Sequence, residues 1–177
     1  MATFTLTCIG DDRAGLVSDL SAPIHAHGAS WNRSQMARLG GKFAGILLID
    51  VPDAKADALA ADLAALKDAG LVVTVERTDE PAAESSGSAA RWNLELLGAD
   101  RPGIVAELSA ALAREHVSIE ELATDVREAP MAGGLLFEAR AVLVAPAAAS
   151  VEAVRAVLEA IADELMVEIN LSDVPAA

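Results

Sequence analysis

The sequence predicts an α+β protein in which one βαββαβ unit is built twice. Three observations predict it. Strand-like alternation passes into helical spacing in the same order in both halves of the chain. An eight-residue turn occurs twice, as Gly10-Asp11-Asp12-Arg13-Ala14-Gly15-Leu16-Val17 and as Gly98-Ala99-Asp100-Arg101-Pro102-Gly103-Ile104-Val105. Between the halves lies Asp79 to Ala90, small, polar and aperiodic, which reads as a flexible linker.

In the first copy Phe4, Leu6 and Cys8 alternate with Thr3, Thr5 and Thr7, the pattern of a half-buried strand. Leu16, Leu20 and Ile24 then recur at helical spacing, and Gly28 supplies a C-terminal stop. Pro23 falls inside that helix, where a bend or a broken turn is expected. Ser30 to Leu39 is the second strand, and Gly40-Gly41 a hairpin turn of the primed type. Phe43 to Val51 is almost continuously apolar, which predicts a central strand. Asp53 is placed to cap a second helix with the stripe Leu59, Leu63, Leu66; Gly70 ends it, and Leu71 to Val75 is the last strand.

In the second copy Trp92, Leu94 and Leu96 alternate with Asn93 and Glu95. Ile104, Leu108 and Leu112 mark one helix, and Val151, Val154, Leu158, Ile161 and Leu165 a second. Met166 to Ser172 closes the unit. A shift of 88 residues carries Asp12 onto Asp100 and Ser30 onto Ser118. It grows to 94 for Phe43 on Phe137, Pro52 on Pro146, Leu71 on Leu165 and Asp79 on Asp173. The six extra residues belong in Glu128 to Gly134, whose Pro130, Gly133 and Gly134 mark a long hairpin loop. This order is that of the ferredoxin-like split βαβ sandwich, four antiparallel strands with two helices on one face. The expected organisation is residues 1–79 as one module, 80–90 as linker and 91–177 as the second module.

Composition excludes several functions. The net charge of −14 argues against direct contact with nucleic acid or an anionic membrane, because both need clustered Lys and Arg. Aromatics make up 3%, so the core is aliphatic and the strands lack the rings of an RNA-binding sheet. Cys8 is the one cysteine, read as a small core residue; it permits no internal disulfide, which suits a reducing compartment. No apolar run approaches a membrane span and no signal pattern opens the chain, so a cytoplasmic location is expected. No catalytic triad is visible, and His25 and His27, two apart at a helix end, point to different sides rather than to one metal. No enzyme, metal or cofactor is expected.

The repeated turn is the feature that points to chemistry. A strand-to-helix turn offers backbone N–H groups and the positive end of a helix dipole to an anion. Arg13 and Arg101 add charge, partly cancelled by Asp12 and Asp100, which are placed to cap the helices. Gly15 and Gly103 permit close approach of a ligand. A single such turn would be only a capped turn; the duplication with matched surroundings raises the functional reading beside it.

The repeated GxDRxG(L/I)V turn resembles that of the ACT domain, an amino-acid-sensing module of ferredoxin-like fold. Ser30 to Gly40 with Phe43, and Val117 to Thr124 with Ala129, Pro130, Gly133, Phe137 and Pro146, resemble the tandem glycine cleavage system transcriptional repressor group. The resemblance implies a ligand site where the first turn of one module faces the second strand of a neighbouring one. Carried over, the candidates are Asp11, Asp12, Arg13, Ala14 and Gly15 with Asn32 and Ser34, and Ala99, Asp100, Arg101, Pro102 and Gly103 with Glu120. Turn N–H groups would take a carboxylate, and Asn32 could bond it or an ammonium. Ala14 stands where the family has proline, and Glu120 where the first copy has Asn32, so the two sites need not both bind. The resemblance implies a small amino acid ligand, glycine above all, and a protein partner, either a DNA-binding regulator or a metabolic enzyme. The two copies are expected to pair with each other, and the open second-strand edges predict a homodimer.

Overall fold

A computed structural model describes residues 1–78, 90–129, 133–146 and 149–174. The expected linker, 80–90, lies outside these residues except for Ala90, which opens a strand. So do Pro130 and the middle of the expected long hairpin loop. The chain divides into two compact units, Met1–Ala83 and Glu84–Ala177.

The first unit runs β1 (Ala2–Asp11), α1 (Leu16–Ala26), β2 (Ser30–Leu39), β3 (Lys42–Val51), α2 (Ala56–Ala65) and β4 (Leu71–Thr78). Its sheet is antiparallel in the order β2-β3-β1-β4. The apolar run of Phe43 to Val51 is explained by this order, since β3 has a neighbour on each side. β2 is an edge and exposed along most of its length, which suits its polar composition. Leu16, Leu20 and Ile24 of α1 and Leu59 and Leu63 of α2 are buried against Phe4, Leu6, Leu47 and Ile49. Each aliphatic side chain buried this fully stabilises the unit by about 1.5–3 kcal/mol.

The second unit repeats the plan with β5 (Ala90–Ala99), α3 (Ile104–Arg114), β6 (Ser118–Glu128), β7 (Leu135–Ala145), α4 (Val151–Leu165) and β8 (Val167–Asp173). Its sheet order is β6-β7-β5-β8. Trp92, Leu94 and Leu96 face Ile104, Leu108, Leu112, Val154, Leu158 and Leu165 in its core. Both second strands carry a bulge at the same place, at Asn32 and at Glu120. The 88-residue shift therefore holds through the bulge, and the six extra residues do fall in the β6–β7 hairpin.

Several expectations are corrected. The last strands align with a shift of 96, not 94, because Gly10 pairs with Leu71 and Gly98 with Val167. Two further residues precede β8, where α4 runs unbroken for 15 residues and α2 ends in the 3₁₀ turn Leu66–Ala69. The pairing also shows why β1 and β5 carry a glycine there. A Cβ on Gly10 would meet the Gly70 carbonyl at 2.6 Å, and one on Gly98 the Val167 side chain at 2.3 Å. Asp53 does not cap α2. It opens a 3₁₀ turn, and its carboxylate takes the Met1 amino group at 2.6 Å, with Arg77 at 3.7 Å. The one side-chain cap among the described helices is Ser150, whose hydroxyl accepts from the Ala153 N–H. Helix α1 continues through Pro23 without a broken turn. Pro23 lies three residues from the helix end and its carbonyl still accepts from His27.

Candidate functional site

The two turns have the same backbone. Gly15 (φ +92°) and Gly103 (φ +100°) adopt left-handed conformations and immediately precede α1 and α3. Their carbonyls accept the N–H of Asp19 and of Glu107, the first helical bonds. The N–H groups of the first turn have no partner within their own helix, so each turn presents donors and a positive dipole end together. Asp12 and Asp100 do not cap these helices, contrary to expectation. They sit three residues before the glycine that does the turning, too early to reach the first-turn N–H groups. Asp12 instead accepts from Arg38 at 3.2 Å, and its N–H bonds to Gly41. The N–H of Asp100 bonds to Leu135.

The arginines are also held otherwise than expected. Arg13 Nη2 reaches Asp19 at 2.7 Å and the Ala69 carbonyl at 3.1 Å. Arg101 reaches Glu107 at 3.2 Å. Each guanidinium is thus tethered to an acid in the first turn of its own helix, at the mouth of the turn. Asp11 pairs with Lys42. Beside the second turn lies a depression of about 430 Å³, lined by Asp100, Arg101, Gly103, Ile104, Val105, Ala106 and Phe137. An apolar floor with a charged lip is the usual make-up of a small-molecule site. Ala14, Ala99 and Pro102 contribute backbone at the turns and no charge.

Asn32, Ser34 and Glu120 are not brought to these turns. Thr3 pairs with Asp50 and Asp11 with Lys42, so Asn32, bonded to Asp50, sits about 27 Å from the first turn along the sheet. Asn32 donates to Asp50 at 2.7 Å, and Thr3 donates to the other oxygen of the same carboxylate at 2.7 Å. Ser34 accepts from the Trp31 indole N–H at 3.2 Å. In the second unit the acid has moved to β6: Glu120 takes Arg91 at 2.5 Å, and Val144 stands where Asp50 would be. Within either unit the turn and the bulge residue, Asn32 or Glu120, therefore stand at opposite ends of the sheet, and Ser34, paired with Leu47, lies midway along it. The Asp50 network left no sequence signal beyond three polar residues on separate strands, and only the register shows that they meet.

Donation from Thr3, then from Asn32, holds the Asp50 carboxyl below the usual carboxylate range. Lys42 does the same for Asp11, and the Met1 amino group for Asp53. All three folded-state values lie below the unfolded ones. The stability they contribute is present above the unfolded carboxylate pKa and is lost as pH falls through the folded values. Replacing Thr3 with valine together with Asn32 with alanine is expected to raise the Asp50 pKa toward its ordinary value. Carboxyl ¹³C NMR titration checks this, and an unmoved Asp50 would show that the two donors do not set it.

The remaining candidates behave as core or surface groups. Cys8 is buried, and burial pushes its thiol up. His27 Nε2 meets Asp62 at 2.7 Å, and its buried Nδ1 has no partner. Among the described residues no group of three His, Cys, Asp or Glu side chains is placed to hold a metal. None of the described helices is long and apolar enough to cross a membrane. A depression of about 500 Å³ on the open sheet face of the first unit is lined by apolar side chains with Thr7, Gln35 and Thr74 and by no charged group.

The ACT domain profile matches residues 2–76 and 94–172, one match in each unit. No curated protein matches the chain. Among solved structures, an unknown protein from Galdieria sulphuraria is 29% identical, with a TM-score of 0.86, covering 98% of this chain and 99% of that one. A proposed glycine cleavage system transcriptional repressor superposes with a TM-score of 0.74 at 15% identity, covering 99% and 98%, a likeness of fold alone. The chain belongs to the ACT domain family, as a tandem of two regulatory, non-catalytic modules.

Proposed function

We propose that this chain binds a small amino acid at its strand–helix turns and thereby regulates a partner protein, most directly a metabolic enzyme. The observation that carries the reading is the duplicated turn: a left-handed glycine, open first-turn N–H groups and a tethered arginine, at the same place in both units. A carboxylate fits the N–H groups and the guanidinium together. Antiparallel pairing with a neighbouring module would bring Asn32 to one such turn and Glu120 to another. A ligand acts on the partner only by favouring one arrangement of modules over another, typically with about 1–3 kcal/mol of coupling.

The narrower reading, glycine as ligand and transcription as output, draws on the residues of the second strand. It would require a DNA-binding partner, because a chain of net charge −14 does not neutralise phosphates. Calorimetry of the full chain against each of the twenty amino acids separates the readings. One or a few amino acids are expected to bind, and Arg101→Gln to weaken that binding about tenfold or more, the loss of one charge-assisted bond. Binding unaffected by Arg101→Gln and by Arg13→Gln would remove the turns from the site. Selectivity for an amino acid other than glycine would leave the enzyme-regulator reading and exclude the glycine one.

A further inference from the structure

We propose that the open sheet face of the first unit docks on the same face of a second copy of this chain, about a twofold axis parallel to the strands. The inference is independent of the ligand reading. Opposite the helices, this face carries Ile9, Ile46 and Val72, exposed by 50%, 51% and 46%. Ala37, Ala44 and Leu48 lie among them. Three half-exposed branched side chains on adjacent strands form one apolar patch, and contiguous apolar patches rimmed by polar residues mark interaction sites when they are large.

The register identifies the occupant. Pairing across the sheet places residues in rows: Arg33–Leu48–Thr5–Glu76, then Gln35–Ile46–Thr7–Thr74, then Ala37–Ala44–Ile9–Val72. A twofold axis along the strands, midway between β3 and β1, lays β2 over β4 of the partner copy and β3 over β1. Arg33 then faces the partner copy's Glu76, and by symmetry Glu76 faces the partner copy's Arg33. Lys42 faces Asp11 in the same way. Ala44 covers Ile9, Ile46 covers Thr7, and Ala37 covers Val72. No two acidic side chains on these rows are set opposite each other, although the chain as a whole is strongly acidic. Aligned packing of two sheets at about 30° keeps the central rows in register. With β1 and β3 ten residues long and four strands abreast, the face measures about 19 by 34 Å. With side-chain relief this is comparable to the roughly 800 Å² per partner of a standard interface.

The second unit shows what a face not built for this looks like. At the positions of Ile46, Ala44 and Leu39 it has Arg140, Glu138 and Arg127, with Glu138 paired to both arginines. The same axis there would set Asp125 against Glu168. Docking is therefore a property of the first unit.

Sedimentation equilibrium on the full chain tests the proposal, with circular dichroism confirming that each surface variant is folded. The parent is expected to dimerise in the micromolar range. Arg33→Glu or Glu76→Arg alone sets like charges face to face and is expected to raise the dimer Kd about tenfold or more. The charge-swapped double variant R33E/E76R is expected to recover to within about threefold of the parent, since the pair is restored in reverse. Ile46→Asp is expected to give monomers. A parent that stays monomeric at 200 µM (roughly the upper limit for a specific association of this size) overturns the proposal. So does a dimer indifferent to Arg33→Glu, which would point to edge-strand pairing, or a double variant no tighter than the single ones.

Discussion

Replacing Trp92 with alanine is expected to destabilise the second unit by about 3–5 kcal/mol, the cost of deleting a large aromatic from a packed core. Trp92 is 2% exposed, on the central strand β5, and packs in the same core as α3 and α4. The other tryptophan, Trp31, packs against the core of the first unit, so no second ring of this size lies in the core of Trp92. The loss is a large part of the whole stability of a small domain. Urea denaturation followed by circular dichroism should show a transition at much lower denaturant. Trp31 is then the sole tryptophan and reports the first unit alone by fluorescence. An unchanged circular dichroism midpoint would mean that the second unit does not rest on this side chain.

Gly103→Val is the second large effect, expected to cost about 1–3 kcal/mol, and Gly15→Val a similar amount. The turn needs positive φ at both places, and a β-branched residue is strained there whatever the space around it. Clash contributes little: a Cβ on Gly103 would meet the terminal Oε1 of the Glu107 side chain at 3.2 Å, and one on Gly15 only Arg13 Nη1 at 3.9 Å. Asparagine tolerates the left-handed region better, so Gly103→Asn should retain about 1 kcal/mol more stability than Gly103→Val in urea melts. Equal stabilities would show that the strain is relieved by movement of the turn. For the ligand site, loss of binding in the valine variants reports fold and pocket together. Arg101→Gln, which leaves the backbone alone, is the cleaner probe.

Much of the architecture was legible because its signals are local. The alternation of Phe4, Leu6 and Cys8, the 3-4 spacing of Leu16, Leu20 and Ile24, and the pair Gly40-Gly41 each act within a few residues. The structure places strands, helix and hairpin where they predict. The errors arose where a local signal competed with a distant partner. Asp53 has the chemistry of a cap, but the Met1 amino group claims it first, and Asp12 and Asp100 stand three residues before the glycine at which each helix begins. The shift of 94 assigned to the last strand rested on matching leucines, whereas the ladder to β1 and β5 sets it at 96.

The sequence by itself determined that the chain is a duplicated βαββαβ protein with an aliphatic core, acidic surface and a repeated glycine-bounded turn. Periodicity and repetition are one-dimensional, and burial of two helical stripes on one sheet face follows from them without further information. What only the tertiary structure decided is which polar groups meet. Asn32 with Thr3 and Asp50, Arg13 with Asp19 and the Ala69 carbonyl, and Arg91 with Glu120 are each joined through strand register or loop closure. The separation of Asn32 from its turn, and the contrast between an apolar open face and a charged one, come from the same source. Register places residues tens of positions apart in one row, and no local propensity encodes that distance.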